Sequence, residues 1–274
     1  MRDLLELQPG PAAKGAIEHL AVGGKRIRAR LAVDAARNLR LGSQSAVAIG
    51  AASELLHNAS LIHDDIQDGS ELRRGATTVW AKYGRNVAIC AGDLMISGAF
   101  AALGSAQNKY FTEALTCMHL RISEAIRGQT EDLFYKPANN QLTGTYERTD
   151  QTIEKFCQIA SGKSASLISL PIELALIMSG RIDQTSSAKK AATAFAIAYQ
   201  AADDIEDIKE DKEIGRPNLV AMLETHCTNA RALLIARSIA IDYYALASKI
   251  SIELPENSGN MLSNLASNCA KNLK

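Results

Sequence analysis

The sequence predicts an all-α protein, a helical bundle that forms one domain over residues 1–274. Apolar residues recur at three- and four-residue spacing along most of the chain, and the strong helix formers Ala and Leu dominate them. Val, Ile, Thr and Tyr do not alternate with polar residues over a run long enough for a sheet. A Pro- or Ser-rich linker that would divide the chain is not found.

The periodic segments predict nine helices, and glycine or proline marks most of the breaks between them. In order, the predicted helices cover about 26–40, 45–67, 86–105, 109–135, 148–160, 163–179, 186–212, 226–250 and 257–272. The breaks contain Gly23-Gly24, Gly69, Gly84, Pro137, Gly180, Pro217 and Pro255.

Composition and charge exclude several classes of protein. The 30 Lys and Arg residues balance 30 Asp and Glu residues, so we expect no nucleic-acid partner and no disordered chain. No charge-free apolar stretch reaches the ~18 residues that span a bilayer, so we expect no stable membrane insertion. Asp3 and Glu6 lie where a secretory signal would need an unbroken apolar segment, so we expect a cytoplasmic protein. Five scattered cysteines predict neither a disulfide framework nor a zinc site.

Two acidic clusters share one pattern, an Asp pair followed by two residues and a third Asp. The first acidic cluster is Asp64, Asp65 and Asp68, and the second is Asp203, Asp204 and Asp207. On a helix the outer carboxylates share a face and repel each other by roughly 0.2–0.5 kcal/mol, an effect that a bound cation reverses. Each cluster ends a weakly polar run, which predicts carboxylates at the mouth of a deep apolar cavity. Mg²⁺ and a diphosphate suit such ligands, whereas two solvated acidic faces are the alternative.

Basic residues flank the first acidic cluster and also lie near the N-terminus. Arg73-Arg74-Gly75 follows the cluster, and guanidinium groups bind phosphate bidentately, although a salt bridge to the aspartates is the alternative. The segment from Gly23 to Arg30 places Lys25, Arg26, Arg28 and Arg30 where a helix begins, which is either an anion site or a solvated face.

His57 and the Gly162-Lys163-Ser164 motif are two further candidates for the site. His57 lies two helical turns before Asp64, and a satisfied core histidine is the alternative to a ligand. Gly162-Lys163-Ser164 opens a helix but lacks the glycine spacing of a nucleotide-binding loop, so we exclude ATP or GTP there.

Together these motifs resemble the trans-isoprenyl diphosphate synthases, the class I prenyltransferases of the polyprenyl synthetase family. The resemblance runs from Gly23 to about Asp211. Its parts are Gly-Gly-Lys-Arg-x-Arg, His57, both acidic clusters, Arg-Arg-Gly, Ala91-Gly92-Asp93, Gly-Lys-Ser and Gln200. In this order and spacing the motifs are highly specific.

The resemblance implies the isoprenoid synthase fold, a homodimer, and condensation of isopentenyl diphosphate with an allylic diphosphate. It assigns Mg²⁺ to Asp64, Asp65, Asp68, Asp203, Asp204 and Asp207, which would bridge the metal to the allylic diphosphate. It places Arg73 and Lys163 on that diphosphate, and Lys25, Arg28, His57 and Arg74 on isopentenyl diphosphate. Ser164 and Gln200 would lie near the developing cation. The catalytic set is then the six aspartates with Lys163 and Gln200.

The sequence departs from the family pattern in three places. Only 22 residues precede Gly23, so we expect a short or missing N-terminal helix, and Ala29-Arg30 stands where the family has Pro. The Gly-Lys pair usual after the second cluster is not recognisable, and Lys212 and Arg216 are the candidates to replace it.

The residues before Asp64 bear on product length. By resemblance the cavity floor lies five and four residues before that aspartate, where Ala59 and Ser60 are both small. An open floor predicts a product of C20 or longer, unless a deeper level is closed by Leu56, Met95, Phe100 or Met118.

Three alternatives stay open beside chain elongation. A class I terpene cyclase or a head-to-head coupling enzyme shares the ionisation step, although cyclases generally replace the second aspartate cluster. A non-catalytic regulatory subunit of a prenyl synthase would keep the fold, and a plain helical scaffold would have only acidic faces.

Overall fold

The computed structural model describes residues 1–7, 9–134, 145–214 and 217–273. Within these ranges nearly all residues are helical and the only strands form one short hairpin, which confirms the all-α prediction. Contacts between Cα atoms divide the chain into two compact units. Unit 1 comprises Met1–His119 and Leu170–Ile182, and unit 2 comprises Leu120–Ser169 and Asp183–Lys274. The single domain over residues 1–274 stays a prediction.

Long and short helices follow one another along the chain. The first elements are α1 (Arg2–Glu6), α2 (Pro11–Ala21), α3 (Ile27–Asn38), α4 (Ser43–Asp68), β1 (Leu72–Arg73), β2 (Ala76–Thr77), α5 (Val79–Tyr83), α6 (Arg85–Gly104) and α7 (Phe111–Phe134). Then follow α8 (Thr145–Ala160), a π-helical turn (Ser161–Ala165), α9 (Ser166–Met178), a 3-10 turn (Ile182–Gln184), α10 (Thr185–Glu206), α11 (Ile208–Ile214), α12 (Leu219–Glu224), α13 (Asn229–Ile252), a 3-10 turn (Pro255–Asn257) and α14 (Asn260–Asn272).

Each predicted helix has an observed counterpart, but one predicted helix is divided into two in the structure. The helix expected over 186–212 is interrupted at Asp207, whose φ of −98° and ψ of 10° end α10 before α11 begins. The short elements α1, α5, α12 and the hairpin were not predicted, because a periodic pattern needs a longer window. Helix α2 was also missed, although Pro11 at its first turn suits the fixed φ of proline.

The core of unit 1 is built by α4 and α6, which pack against each other. Ile49, Leu55 and Ile62 of α4 are fully or almost fully buried, as are Met95 and Leu103 of α6. This packing fixes the C-terminal end of α4, which carries the first acidic cluster.

Helix α6 is apolar beyond its buried face. Among the described residues it is the one helix whose length and composition would let it cross a membrane. Buried residues make up 44% of its most apolar window, and the core helix of a globular protein passes the same test. It also contains Arg85 and Asp93, so it is not a charge-free stretch.

The core of unit 2 is built mainly by α10 and α13, with α8 and α12 against them. Its buried side chains include Phe156, Ile197, Leu219, Leu223 and Ile239. Small residues on α10 such as Ala191 and Ala198, both fully buried, allow the close approach of neighbouring helices. This core holds the end of α10, where the second acidic cluster lies.

Candidate functional site

The first acidic cluster occupies the last turn of α4 in unit 1. Asp64 is half-buried, Asp65 is buried and Asp68 is exposed. Gly69 ends the helix with a left-handed φ of 66°, a conformation that glycine adopts without steric cost. The chain then forms the β1–β2 hairpin, which carries Arg73 and Arg74 back toward the cluster.

Asp65 forms an ion pair with Arg73, whose Nε lies 2.8 Å from Oδ1. The salt bridge considered from sequence is therefore present for Arg73. The other carboxylate oxygen, Oδ2, is buried and has no hydrogen-bond partner among the described residues. Burial raises the pKa of Asp65, while the charge and hydrogen bond of Arg73 act in the opposite direction. One buried acceptor of this carboxylate thus remains to be satisfied.

Arg74 joins the hairpin to the glycine-rich segment before α3. Its guanidinium donates a hydrogen bond to the carbonyl of Gly23 and lies against the backbone of Gly24. A side chain on Gly24 would collide with that guanidinium, and the φ of 145° at Gly24 also disfavours other residues. The Gly-Gly pair is therefore required for two motifs of the sequence to meet.

The basic segment is anchored by a residue that the sequence analysis did not assign. Glu54 of α4 is 2% exposed and accepts a hydrogen bond from the backbone N–H of Ala29 at 3.1 Å. The Arg26 guanidinium lies 3.8 Å from the same carboxylate, and it also donates to the carbonyl of Leu20. Glu54 is the one acid in the apolar run from Ile49 to Ile62, which was a signal that sequence could have used.

These anchors gather a cationic group in unit 1 around His57. Burial lowers the pKa of His57 well below its usual value, and the charges of Arg28, Arg74 and Arg73 lower it further. The imidazole is therefore neutral at pH 7 beside three guanidinium groups. Lys25 is exposed and precedes α3. We call Arg28, His57, Arg73 and Arg74 the cationic group; the sequence predicted all four.

The second acidic cluster lies at the end of α10 in unit 2. Asp203 is half-buried, and burial raises its pKa to about 6, with further contributions from Asp207, Glu206 and Asp211. Asp207 is exposed and caps the helix, and its backbone N–H donates to the Asp203 carbonyl at 2.9 Å. Five carboxylates, counting Asp204, therefore lie near this helix end.

Asp204 is placed differently from the other five aspartates. It is 2% exposed, and its Oδ1 accepts from Gln200 Nε2 at 2.7 Å while its Oδ2 accepts from the Leu219 N–H at 2.6 Å. Burial raises its pKa to about 6, although both hydrogen bonds lower it. Both oxygens of this carboxylate are bonded within the protein, and its predicted role as a metal ligand stays a prediction. Gln200 is likewise bonded to Asp204.

Asn218 connects the segment after the second acidic cluster to that cluster by hydrogen bonds. This buried side chain donates to the Asp204 carbonyl at 2.7 Å and to Asp211 Oδ2 at 2.9 Å, and its own oxygen caps α12. Lys212, a candidate to replace the missing Gly-Lys pair, lies 2.5 Å from Glu224. The other candidate, Arg216, lies outside the described residues.

The Gly-Lys-Ser motif falls in the π-helical turn that precedes α9, not in the α-helix expected from residue 163. Such turns often occur at functional sites. Ser164 is half-buried, whereas the Lys163 side chain lies outside the described part of the chain. The role of Lys163 stays a prediction.

The residues predicted to set product length lie on α4. Ala59 is 1% exposed, and Ser60 donates its hydroxyl to the His57 carbonyl at 2.8 Å. Of the deeper candidates Leu56, Met95 and Met118 are buried, whereas Phe100 is 37% exposed.

The acidic clusters are not preformed metal cages. Within the described ranges no three His, Cys, Asp or Glu side chains are gathered as a metal-binding group. Mg²⁺ commonly takes only one or two carboxylates and completes its shell with water and phosphate oxygens. The unpartnered oxygen of Asp65 and the raised pKa of Asp203 both fit a cation that binds in this way.

Comparison with known proteins identifies the family of the chain. The sequence profile of the polyprenyl synthetase family matches residues 11–241. A short chain isoprenyl diphosphate synthase of Methanothermobacter thermautotrophicus is 34% identical over 206 residues, which cover 74% of this chain and 60% of that protein. A geranylgeranyl diphosphate synthase of Saccharolobus solfataricus is 33% identical, over 71% of this chain and 58% of that protein. The chain thus spans about 60% of the length of these relatives.

Solved structures agree with the sequence comparison. The geranylgeranyl pyrophosphate synthetase of the archaeon Geoglobus acetivorans superposes with a TM-score of 0.81 at 25% identity, covering 98% of this chain and 95% of the other. The isoprenoid synthase fold expected from the resemblance is confirmed.

Proposed function

This chain belongs to the polyprenyl synthetase family, and we propose that it is a trans-prenyltransferase. In this proposal it condenses isopentenyl diphosphate head-to-tail with an allylic diphosphate and releases a polyprenyl diphosphate of C20 or longer. We further propose a cytoplasmic homodimer that depends on Mg²⁺.

The observation that carries the proposal is the cationic group beside the first acidic cluster in unit 1. A diphosphate needs several donors that are already in place, since preorganised charge is what stabilises a leaving anion. Arg28, Arg73 and Arg74 supply such donors, and the neutral His57 can donate one hydrogen bond without adding to their mutual repulsion. A solvated basic face would not require the Gly24 contact or the buried Glu54 anchor.

The described carboxylates fit Mg²⁺. Asp64, Asp65 and Asp68 would hold it in unit 1, and Asp203 and Asp207 would hold it in unit 2. Bound Mg²⁺ would neutralise the charge of the departing diphosphate. Asp204 would contribute by positioning the end of α10, because both its oxygens are bonded within the protein. Arg73 would hold the allylic diphosphate beside Asp65, and Lys163 is assigned to the same group by resemblance.

In the condensation the carbon–oxygen bond to the allylic diphosphate breaks and leaves an allylic cation. The double bond of isopentenyl diphosphate attacks this cation, and a proton is then lost to the diphosphate. Lys25, Arg28, His57 and Arg74 would orient the attacking substrate through its own diphosphate. Apolar side chains would keep water from the cation, which is the contribution expected of a closed site.

Product length follows from the small side chains on α4. Ala59 and Ser60 are small at the level where the resemblance places the cavity floor, which supports a product of C20 or longer. Leu56, Met95 and Met118 are buried and are the residues whose enlargement would shorten the product.

The experiment is turnover of radiolabelled isopentenyl diphosphate with C5, C10, C15 and C20 allylic primers, with and without Mg²⁺. We expect Mg²⁺-dependent incorporation into acid-labile diphosphates of C20 or more. A product that stops at C15 would refute only the assignment of an open cavity floor and would leave the proposed reaction in place. In parallel incubations of the allylic primers alone, a hydrocarbon product detected by mass spectrometry would point to a cyclase or coupling enzyme. Mg²⁺-dependent binding of diphosphate in calorimetry, without turnover, would point to a regulatory subunit.

A further inference from the structure

Unit 1 contains a pocket of about 380 Å³ between α2, the β1–β2 hairpin and α5. We call it the α2–hairpin pocket. Of the residues assigned to diphosphate binding, Arg73 and Arg74 line it, whereas Lys25, Arg28 and His57 are not among its described lining residues. The lining of the pocket therefore overlaps the cationic group only at the arginine pair.

The charge of this pocket is positive. Arg73, Arg74 and Lys82 line it together with a single acid, Glu18. Glu18 accepts hydrogen bonds from Lys82 Nζ and from the Tyr83 hydroxyl, both at 2.8 Å, and these bonds lower its pKa. The charge of Glu18 is thus matched by Lys82, and the charge of Arg73 is matched by Asp65, which leaves Arg74 as the uncompensated charge of the lining.

The arginine pair retains donor capacity toward the pocket. Arg73 uses Nε for Asp65 and so keeps four of its five N–H donors for other partners. Arg74 has no carboxylate partner among the described residues, and its hydrogen bond goes to the Gly23 carbonyl. Guanidinium groups in this state bind phosphate or carboxylate through paired hydrogen bonds.

A buried histidine also lies in the wall; a hydrogen bond with the Asn58 side chain raises its pKa, and one of its ring nitrogens is left without a partner among the described residues. His19 is 9% exposed, and its Nε2 has no hydrogen-bond partner among the described residues. Burial lowers its pKa to about 4, with further contributions from the charges of Arg73 and Arg74, so the ring is neutral at pH 7. Buried polar atoms are rarely left unsatisfied, and a bound molecule in the pocket can supply the missing partner.

Most of the rest of the wall is apolar, apart from Thr77 and Thr78. Val22, Ala76 and Val79 line the pocket, and a side chain at Gly15 would collide with Val79. A pocket that combines an apolar wall with a few convergent polar groups is the usual form of a small-molecule site.

We propose that the α2–hairpin pocket is a second anion site, which binds a small molecule with a phosphate or carboxylate head and a short apolar chain. The head lies on Arg73 and Arg74, and the chain lies against Val22 and Val79. Because the occupant uses the same arginine pair as the diphosphate site, its binding weakens the binding of diphosphate. Binding to the pocket does not rest on the proposed reaction and can be measured without turnover.

The test is isothermal titration calorimetry of the whole chain in EDTA, which keeps metal from turning the acidic clusters into anion sites. The probes are n-hexyl phosphate, hexanoate, inorganic phosphate and n-hexanol. We expect n-hexyl phosphate, hexanoate or both to bind at least tenfold more tightly than inorganic phosphate and hexanol. Which of the two binds identifies the head group, and failure of both overturns the proposal.

Three variants locate the binding. Thr77→Trp fills the pocket from β2, and Val22→Asp places a negative charge, of the same sign as the probe, at the rim of the pocket. Each should weaken probe binding at least tenfold. Val47→Trp is the matched control, because Val47 is 66% exposed on α4 and does not line the pocket. Circular dichroism verifies that each variant is folded. If one of the two pocket variants does not fold, the other still tests the site.

Lys25→Ala separates the two anion sites. This variant should bind the probe as the unaltered chain does, because Lys25 does not line the pocket. Binding that is lost in Lys25→Ala but kept in Thr77→Trp and Val22→Asp would place the probe in the diphosphate site and overturn the proposal.

Discussion

The two acidic clusters have the same sequence pattern but different electrostatic surroundings. In unit 1 the middle aspartate, Asp65, forms an ion pair with Arg73 and keeps one buried oxygen without a partner among the described residues. In unit 2 the middle aspartate, Asp204, accepts hydrogen bonds from Gln200 and Leu219, neither of which is charged. The first cluster therefore has a permanent cation beside it, whereas the second has further acids.

Because of this difference, we expect the two clusters to depend on bound metal to different degrees. Two carboxylates of the second cluster, Asp203 and Asp204, have a pKa raised to about 6, with burial as the largest cause. A bound cation would remove the repulsion among Asp203, Asp207 and their neighbours. The same motif thus serves as a partly neutralised site at one helix end and as an uncompensated site at the other.

The largest expected effect is on turnover, from a change at Asp203. Asp203→Asn keeps the size of the side chain but removes a charge that would bind metal, so we expect turnover to fall by about 10²–10³-fold. The free energy of unfolding without Mg²⁺ should rise, because a carboxylate that is repelled by its neighbours is removed. Steady-state kinetics and urea denaturation measure the two quantities, and a variant that loses stability together with activity would contradict the assignment.

The next effect is on stability, from a change at Asp204. Asp204→Ala leaves the Leu219 N–H and the Gln200 amide without their acceptor in a buried place, so we expect a loss of about 3 kcal/mol in the free energy of unfolding. Asp207→Ala, at an exposed position on the same helix end, should change it by less than about 0.5 kcal/mol. Equal effects of the two variants in urea denaturation would show that Asp204 has no special structural role.

Sequence reasoning predicted the long helices and the cationic group, because both depend on local pattern and on motif order. It could not separate Asp204 from the other aspartates, since burial of that carboxylate depends on Leu219, which lies fifteen residues away. It also missed His19 and Glu54. A single polar residue in an apolar run shows that a partner exists, but only the fold shows that the partners are Ala29 and Arg26.

The third effect is a pH dependence that differs between apo and Mg²⁺-bound protein. Because the pKa of Asp203 and Asp204 in the folded protein is about 6, above the ordinary value of 3.8, folding favours their protonated forms. Their contribution to stability is fully present below about pH 4 and is lost as the pH rises through 6. In EDTA we therefore expect these two groups to lower stability between about pH 4.5 and 7, and Mg²⁺ to reduce that loss.

Other carboxylates titrate in the same range, so the measurement has to be a difference. Urea denaturation at several pH values, compared between the unaltered chain and Asp203→Asn, isolates the contribution of Asp203. The unaltered chain should lose more stability than the variant as the pH rises in EDTA. Parallel curves for the two proteins would show that Asp203 titrates normally.

The smallest expected effect is at Lys212, which tests how the missing Gly-Lys pair is replaced. Lys212 and Glu224 form an ion pair at 2.5 Å, with the Lys side chain 47% exposed, so Lys212→Ala should change the free energy of unfolding by less than about 1 kcal/mol. Because its ammonium group is already paired, we expect turnover to change by less than about twofold, as in Glu224→Gln. If Lys212 instead bound diphosphate, Lys212→Ala would raise KM for the allylic substrate while Glu224→Gln would not. A negative result at Lys212 would leave Lys209 and bound metal as sources of positive charge near the second acidic cluster, whereas the first cluster has Arg73 in an ion pair.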